Sequence, residues 1–387
     1  MDTASAATST TGTAPEKSHY VVLDGLRGVA ALLVVVFHLF EAFADNDPQK
    51  QIINHGYLAV DFFFLLSGFV IAYAYDDRWG RLTQWDFYKR RLIRLQPMIV
   101  IGSVIGAALW WFQSYSIFPF HDSAAVWQVL LLMVVGCFMV PMPKSADIRG
   151  WDEIYTLNGP AWSLFYEYVA NILYAAGLRK LSNRWLGVLV ALGALALMYL
   201  AIFGKRGDLI GGWALDASGI QIGLSRVMFP FFAGVLLMRL GKRIRISHSF
   251  LVSSLLLVAV LLIPRVGGPE RLWLNGIYDS ACVILIFPLI VAIGAGEKRV
   301  DGPSIRVARF FGELSYPLYI THYPLIYIYT GWAVDNQVSA TQGAVAGAGV
   351  FVASVALAWA CLKFYDIPVR QMLSRRLLLR RPDRQTA

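Results

Sequence analysis

The stretch VVLDGLRGVAALLVVVFH (21–38) is an apolar run that contains three charged or ionisable side chains, Asp24, Arg27 and His38. Extended to 20–43, the run reaches the roughly 20 residues that an α-helix needs to cross the hydrocarbon core of a bilayer. It shows no alternation with a period of two, which would indicate a strand. The run therefore predicts a transmembrane helix that carries ionisable groups inside the membrane.

Ten further apolar stretches follow along the chain, and most approach the same length. Hydrophobic residues make up 57% of the 387 residues and charged residues only 15%, whereas soluble proteins contain about 25% charged residues. This composition excludes a soluble domain and, over most of the length, intrinsic disorder. The stretches are 56–75, 93–112, 125–142, 160–178, 185–203, 218–238, 250–264, 273–295, 312–333 and 342–364.

The basic residues lie in short clusters between the apolar stretches. Despite the net charge of +9, this distribution is typical of a polytopic membrane protein rather than of a nucleic-acid-binding protein. The clusters at 78–94, 239–245, 298–309 and 370–384 all fall on the cytoplasmic side if 125–142 does not cross. We therefore predict an all-α polytopic membrane protein with ten transmembrane helices, a re-entrant or interfacial segment at 125–142, and both termini cytoplasmic.

One transmembrane domain accounts for most of the chain. We expect a disordered cytoplasmic tail at 1–18, the transmembrane domain at 19–366 and a basic cytoplasmic tail at 367–387. The three cysteines lie in apolar runs with no spacing that indicates a disulfide or a metal site, so neither is expected. They are Cys137, Cys282 and Cys361.

Arg27 and His38 are eleven positions apart, which is close to three helical turns. Their side chains therefore lie on nearly one face of the helix, about 16 Å apart along its axis. Ionisable groups inside a membrane are costly and usually face a cavity or a partner. A neutral imidazole can accept a proton near pH 7, so His38 is a candidate general base. The alternatives are that Arg27 anchors the helix or pairs with Asp24 and that His38 is hydrogen-bonded within the bundle.

Six motifs, in this order along the chain, resemble those of the membrane acyltransferase-3 family. The resemblance covers about 20–365 and implies about ten membrane helices that transfer acyl groups, often acetyl from acetyl-CoA, to hydroxyls of glycans, lipids or small molecules. Ala59 stands where many members have glycine, and the further extracytoplasmic domain of some members is not expected after Ala387. The motifs are VVLDGLRGVAALLVVVFH, AVDFFFLLSGFVIA, FYKRRLIRLQP, LNGPAWSLFYEYVANILY, RVMFPFFAGVLL and FGELSYPLYITHYPL.

The resemblance implies roles for the arginines that match these motifs. Arg27 and His38 match a pattern of arginine or lysine, ten residues and histidine, in which Arg27 holds the acyl donor or stabilises negative charge at the carbonyl. Arg91 and Arg94 match an Arg-x-x-Arg pair that is expected to bind the phosphates of coenzyme A. Cytoplasmic loops are rich in arginine for topological reasons alone, which is the competing explanation for this pair.

Intramembrane carboxylates are candidates for orienting His38. Counted along their helices, Asp61 and Glu167 reach the outer third of the membrane, at the level of His38, and both match family motifs. A carboxylate that accepts a hydrogen bond from one imidazole nitrogen fixes the tautomer and supports the imidazolium. Glu41, one turn from His38, and Asp279 are rivals that the family pattern does not supply. Pairing of each carboxylate with Arg226 is the structural alternative.

Four residues are candidates for contact with the donor or the acceptor. Two belong to SYPLYITHYP (315–324), which resembles a Ser-Tyr…His pattern of the family. By residue count, His322 and Arg226 fall near mid-membrane, where either could instead serve the bundle structurally. The tryptophan could stack on a sugar ring or lie in an interfacial aromatic belt. The four residues are His322, Tyr316, Arg226 and Trp162.

These observations predict an integral-membrane O-acyltransferase in the inner membrane of a bacterium. The donor is expected to be acyl-CoA, most simply acetyl-CoA, and the acceptor a hydroxyl of an envelope glycan, a lipid-linked sugar or a small hydrophobic alcohol. Membrane lipids and the acceptor are the expected partners, without metal or nucleic acid. The main alternative is a transporter that uses the charged residues as a substrate or proton path, although no internal repeat is visible. A sensor with degraded catalysis is the third possibility.

Overall fold

The computed structural model describes residues 20–44, 47–297 and 301–378. Every regular element within these residues is helical. The predicted disordered tail at 1–18 and the end of the basic tail at 379–387 lie outside the described residues.

Fourteen α-helices are present in the described part of the chain. Two π-helical turns, Cys282–Ile286 and Cys361–Asp366, join α9 to α10 and α13 to α14. The helices are α1 Val21–Glu41, α2 Ala59–Tyr75, α3 Gln84–Trp110, α4 Val126–Cys137, α5 Ala161–Ala176, α6 Asn183–Phe203, α7 Ala217–Leu240, α8 Ser249–Leu262, α9 Trp273–Ala281, α10 Phe287–Gly294, α11 Pro303–Thr321, α12 Tyr323–Asp335, α13 Ala340–Ala360 and α14 Ile367–Leu377.

The helices occupy all of the apolar stretches predicted from the sequence, so the protein is an all-α multi-pass membrane protein. Among the described residues, seven helical runs have the length and the apolar composition for a crossing. Helices α5, α8, α11 and α12 are shorter or more polar than these runs. The number of ten crossings and the cytoplasmic position of the termini stay predictions. The seven runs are Val21–Glu41, Gly56–Tyr75, Gln84–Trp110, Asn183–Phe203, Ala217–Leu240, Trp273–Gly294 and Ala340–Leu377.

Helix α4 occupies the segment that we predicted not to cross. It has 12 residues, which correspond to about 18 Å of helix, against a hydrocarbon thickness of about 30 Å. Its large apolar side chains, among them Trp127 and Leu131, are exposed on the protein surface. Helix α4 is therefore too short to cross by itself, and it exposes an apolar surface.

Glycines let the central helices approach backbone to backbone. A Cβ atom at Gly28 of α1 would lie 2.3 Å from the carbonyl oxygen of Phe311 in α11. A Cβ atom at Gly68 of α2 would lie 2.0 Å from the carbonyl oxygen of Phe231 in α7. Close packing through small residues is the usual way for membrane helices to associate. These two contacts hold α1 against α11 and α2 against α7.

Helices α1 and α2 run antiparallel, which defines two ends of the bundle. Phe37 packs on Tyr57 at one end, with ring centroids 6.4 Å apart, and Tyr20 packs on Tyr73 at the other, at 4.7 Å. We call the first, which contains His38, the histidine end. The second, where α3 begins and α14 packs beside it, is the arginine end.

Candidate active site

His38 lies in the last turn of α1 and is paired with a carboxylate of its own helix. Its Nδ1 atom lies 2.5 Å from Oε2 of Glu41. Because a carboxylate only accepts hydrogen bonds, Nδ1 carries the proton of the neutral ring and Nε2 keeps its lone pair. The His38 side chain is 17% exposed. His38 is thus held in the tautomer that a general base requires, with access to the outside of the bundle.

His322 lies at the junction of α11 and α12 and is fully buried. Its Nδ1 atom donates a hydrogen bond to the carbonyl oxygen of Leu318 at 3.0 Å. Its Nε2 atom is buried and has no hydrogen-bond partner among the residues that the structure describes. An unpaired buried acceptor is costly and needs an explanation, which at a functional site is a ligand.

The two histidines lie side by side. The ring centroids of His38 and His322 are 5.6 Å apart, and Tyr323 packs edge-on against His38 at 4.7 Å. Residue counting had placed His322 near mid-membrane and His38 in the outer third, so this neighbourhood was missed. Only the packing of α1 against α11 and α12 brings them together, and no pattern in the sequence reports it.

The segment between α4 and α5 covers the histidine end. Glu153 of this segment is buried and accepts a hydrogen bond from the hydroxyl of Tyr327. Burial raises the pKa of Glu153 to about 8, against the opposing attraction of Arg149. The Tyr327 ring packs edge-on against Tyr323 at 4.6 Å. Glu153 is therefore connected to His38 by a chain of contacts through Tyr327 and Tyr323. The sequence analysis had not identified Glu153.

Arg149 is the second buried ionisable residue in this segment. Its Nη2 donates to Oε1 of Gln113 at 2.8 Å and its Nε to the carbonyl oxygen of Thr156 at 3.1 Å. The guanidinium carbon lies 3.4 Å from the centre of the Tyr327 ring. These contacts, a cation–π interaction among them, pin the segment onto the helix ends.

Glu167 lies away from His38. Its Oε1 atom accepts hydrogen bonds from Nη2 of Arg91 at 2.8 Å and from the hydroxyl of Ser67 at 2.7 Å. The structure therefore connects Glu167 to Arg91 of the arginine end and to the middle of α2, and not to His38. Its depth in the membrane stays a prediction. Ser67 lies within α2 and donates a hydrogen bond from its hydroxyl to Glu167.

Asp61 forms a saturated buried ion pair with Arg226. The two side chains are 0% and 1% exposed, and Nη2 of Arg226 lies 2.6 Å from Oδ2 of Asp61. Arg226 also donates to the carbonyl oxygens of Tyr57 at 2.7 Å and Gly211 at 3.0 Å. This is the structural pairing that the sequence left open. Asp61 does not contact His38 in this arrangement.

Trp162 and Asp279 are also tied into packing. Trp162 is buried in the first turn of α5, with the Arg226 guanidinium carbon 5.2 Å from its ring centre. Asp279 is buried and accepts hydrogen bonds from the Tyr57 hydroxyl at 2.8 Å and from His55 Nδ1 at 2.9 Å. Neither residue approaches the histidine pair through a hydrogen bond. Of the carboxylates considered from the sequence, Glu41 is the one bonded to His38.

The arginine end contains an open groove of about 370 Å³. Arg90, Arg91 and Arg94 of α3 line it on one side, and Arg370 of α14 lines it on another. The guanidinium of Arg94 lies 5.6 Å from the ring of Tyr316, whose hydroxyl donates to the carbonyl oxygen of Leu95 at 2.6 Å. Tyr316 therefore belongs to this end of the bundle and not to the histidine pair.

Arg27 lies in the half of α1 that is nearer the arginine end. Its charge acts on Arg94, as does that of Arg370, so the three guanidiniums are electrostatic neighbours. The Cβ of a helical residue tilts toward the N-terminus of its helix, and Arg27 therefore points away from His38. The structure brings Arg27, Arg91 and Arg94 to one end and His38 and His322 to the other. Among the described residues, no group of histidines, cysteines and carboxylates could hold a metal ion.

The chain matches one family of known proteins over most of its length. The family described as an acyltransferase domain, acyltransferase-3, matches residues 20–363. The protein therefore belongs to the acyltransferase-3 family and is a membrane acyltransferase.

Three curated relatives, all bacterial, are similar to it. Protein 2 in the picA locus of Rhizobium radiobacter is 34% identical over 48% of this chain and 96% of that protein. The putative O-acetyltransferase SACOL0978 of Staphylococcus aureus (strain COL) is 26% identical over 84% of this chain and 53% of its own length. The O-acetyltransferase OatA of Staphylococcus aureus (strain NCTC 8325 / PS 47) is 22% identical over 82% and 52%. The chain thus spans about half the length of these two staphylococcal relatives. No solved structure matches the chain.

Proposed function

We propose that the protein transfers an acyl group, most simply acetyl, from acyl-CoA to a hydroxyl of an envelope glycan or a lipid-linked sugar. The observation that carries this proposal is the histidine pair. His38 is fixed by Glu41 with its Nε2 lone pair free, and the buried Nε2 of His322 lies unpaired beside it. Two imidazole acceptors at one place suit a substrate that brings a hydroxyl proton.

In the proposed reaction, the acceptor oxygen attacks the thioester carbonyl while Nε2 of His38 takes the hydroxyl proton. Glu41 stabilises the resulting imidazolium through Nδ1, as the carboxylate of a catalytic triad does. When the carbon–sulfur bond breaks, the imidazolium returns the proton to the coenzyme A thiolate. His322 accepts a hydrogen bond from a further hydroxyl of the acceptor and so positions it. The products are the ester and the free thiol.

The donor is assigned to the arginine end. Guanidinium groups match the geometry of phosphates, and Arg91 and Arg94 line an open groove there. Arg27 lies about 16 Å from His38 along α1 and points toward the groove. We therefore assign Arg27 to donor binding and not to the carbonyl charge, the other role considered for it. The long arm of coenzyme A would carry the thioester from the groove toward His38.

The acceptor class follows from chemistry and from the relatives. Two of the relatives are named as O-acetyltransferases, which supports a hydroxyl acceptor. The segment that covers the histidine end contributes the buried polar side chains of Arg149 and Glu153. Polar side chains there suit a molecule rich in hydroxyls. Trp162, Arg226 and Asp61 are engaged with one another, so we give them structural roles in this proposal.

The deciding experiment measures transfer by the purified full-length protein in nanodiscs. Radiolabelled acetyl-CoA is supplied with an envelope glycan fraction, and labelled ester is counted. We expect His38→Asn to lose at least about 100-fold in rate, the contribution of a general base. His248→Asn is the matched control, because His248 is exposed and has a φ of 56° that asparagine tolerates.

A strain comparison identifies the acceptor. Mass spectrometry of surface glycans and extractable lipids is made on wild type, a deletion strain and a strain with His38→Asn. Loss of one acyl increment in the last two strains, with the variant present in the membrane, names the acceptor. Full activity of His38→Asn would refute the base assignment, and transport of an intact metabolite without ester formation would favour the transporter.

A further inference from the structure

The groove at the arginine end is lined on one side by residues that lie outside the Arg-x-x-Arg motif. It runs between the end of α2, the start of α3 and α14, which contributes Arg370 and Ser374. Helix α14 follows the π-helical turn Cys361–Asp366 and packs against α3. In the sequence, this arginine stands only as part of a basic cytoplasmic tail, whose arginines most simply contact lipid headgroups. The structure instead places one of them in the groove.

Arg370 is held in place by a buried carboxylate. Its Nη2 lies 2.8 Å from Oδ2 of Asp366, one turn earlier, and Asp366 is 0% exposed while Arg370 is 28% exposed. This ion pair restrains one edge of the guanidinium, although neither Asp366 oxygen has a hydrogen-bond partner among the described residues. The restraint limits the movement of a flexible side chain, which lowers the entropy lost when it binds a ligand.

Two guanidiniums at the groove have unused donors. The Nε atoms of Arg370 and Arg91 are both buried and have no hydrogen-bond partner within the described part of the chain. Each of these arginines has one carboxylate partner, Asp366 and Glu167 respectively. Four arginines line the groove, so positive charge exceeds the charge of these two carboxylates. Buried donors without partners and excess positive charge, together in an open groove, are the features of an anion site.

We propose that Arg370 is a third phosphate-binding guanidinium of the donor site, with Asp366 as its positioning residue. The proposal rests on the proposed function and extends it, because it makes α14 one side of the site that holds the phosphates of coenzyme A. Arg91 and Arg94 contact the ligand from α3, and Arg370 contacts it from α14. A lipid phosphate has the same chemistry, so the test separates the two sources.

Binding of coenzyme A to the full-length protein is measured by calorimetry in nanodiscs of phosphatidylcholine. We expect Arg370→Ala to weaken binding about tenfold, the effect of losing one charge-assisted hydrogen-bonding group. Arg370→Lys keeps the charge but loses the planar guanidinium, so its affinity for coenzyme A should lie between those of wild type and Arg370→Ala. Arg376→Ala is the matched control, since Arg376 is exposed on the same helix and lines no part of the groove. In transfer assays, Arg370→Ala should raise KM for acyl-CoA more than it changes kcat.

The outcomes separate this inference from the function itself. Equal affinity of Arg370→Ala and wild type, with transfer intact, overturns the role of Arg370 and leaves the acyltransferase reaction standing. A wild-type protein that does not bind coenzyme A overturns both. The lipid arm repeats the titration with phosphatidylglycerol in the nanodisc. If that lipid abolishes the difference between Arg370→Ala and wild type, the groove belongs to a headgroup and the donor assignment fails.

Discussion

Glu41 accepts a hydrogen bond from Nδ1 of His38 at 2.5 Å across a single turn of α1. The base and the carboxylate that orients it are therefore carried by one helix, and their geometry does not depend on how other helices pack. The carboxylates expected from the family pattern serve elsewhere, with Asp61 on Arg226 and Glu167 on Arg91. In the acyltransferase reaction proposed here, Glu41 is the positioning residue for His38.

Replacement of Glu41 should slow transfer without weakening binding of the donor. We expect Glu41→Gln to lower kcat about tenfold or more, because the wrong tautomer of His38 becomes accessible. The KM for acyl-CoA should stay near the wild-type value, since the donor anchors at the opposite end. Steady-state kinetics in nanodiscs measures both, with the exposed Glu270→Gln as control. A rise in KM at constant kcat would show that Glu41 binds substrate instead.

Substitutions of Glu167 and of Arg91 should have different effects in the same kinetic assay. Arg91→Ala removes a phosphate-binding group and should raise KM for the donor about tenfold. Glu167→Gln removes the negative charge beside Arg91, in a pair whose side chains are 12% and 13% exposed. Because glutamine keeps an oxygen that accepts from Arg91 and Ser67, this should change kcat by no more than about threefold. A fall of about 100-fold or more in kcat for Glu167→Gln would instead make it an acid or base in the reaction.

The buried Asp61–Arg226 ion pair should contribute strongly to the stability of the folded protein. Removing one partner of a buried ion pair leaves a buried charge uncompensated and costs about 3–5 kcal/mol. Asp61→Asn should therefore lower the unfolding temperature and the yield of folded protein. The double substitution Asp61→Leu with Arg226→Met should recover most of the loss, since apolar replacements of such pairs are often neutral. If Asp61→Asn is fully stable but inactive, Asp61 takes part in the chemistry.

Glu153 should make stability depend on pH. Burial raises the pKa of its carboxyl from 4.5 to about 8 in the folded state. Between these two values the unfolded chain releases the proton while the folded chain keeps it, so this group destabilises the fold increasingly as pH rises. The penalty is absent below about pH 4.5 and complete above about pH 8.

Glu153→Gln removes that titration. When thermal unfolding is measured at pH 5, 7 and 9, the unfolding temperature of the variant should decline less with rising pH than that of wild type. Asp122→Asn is a suitable control, because Asp122 is 80% exposed and does not share this burial. Parallel declines for wild type and Glu153→Gln would contradict the raised pKa of Glu153.

The sequence was sufficient to predict the helical membrane fold, because long apolar runs permit few other structures. It also paired Arg91 with Arg94 through motif spacing, and both line one groove in the structure. It did not predict that His322 lies beside His38, nor that Glu167 bonds Arg91. A residue count along one helix does not say which helices pack side by side, and both contacts depend on that packing.

Arg370 and Glu153 were missed for a different reason. Each is defined by a contact between segments distant in sequence, Arg370 with the groove on α3 and Glu153 with Tyr327 on α12. Neither residue stands in a motif, and an arginine in a basic tail has the same sequence signature as one that contacts lipid. Only the folded chain distinguishes them.

Helix α1 carries no proline and no π turn between Arg27 and His38, so about three turns of regular helix separate donor anchor from base. With the roles proposed above, the length of helix between Arg27 and His38 fixes the distance from the bound phosphates to the imidazole. Each methylene added to the acyl chain would extend beyond the imidazole, where His322 and Tyr323 are packed. Selection for a short acyl group would then be set by helical rise, and changing it would require a change in the length of this helix rather than in the lining of a pocket.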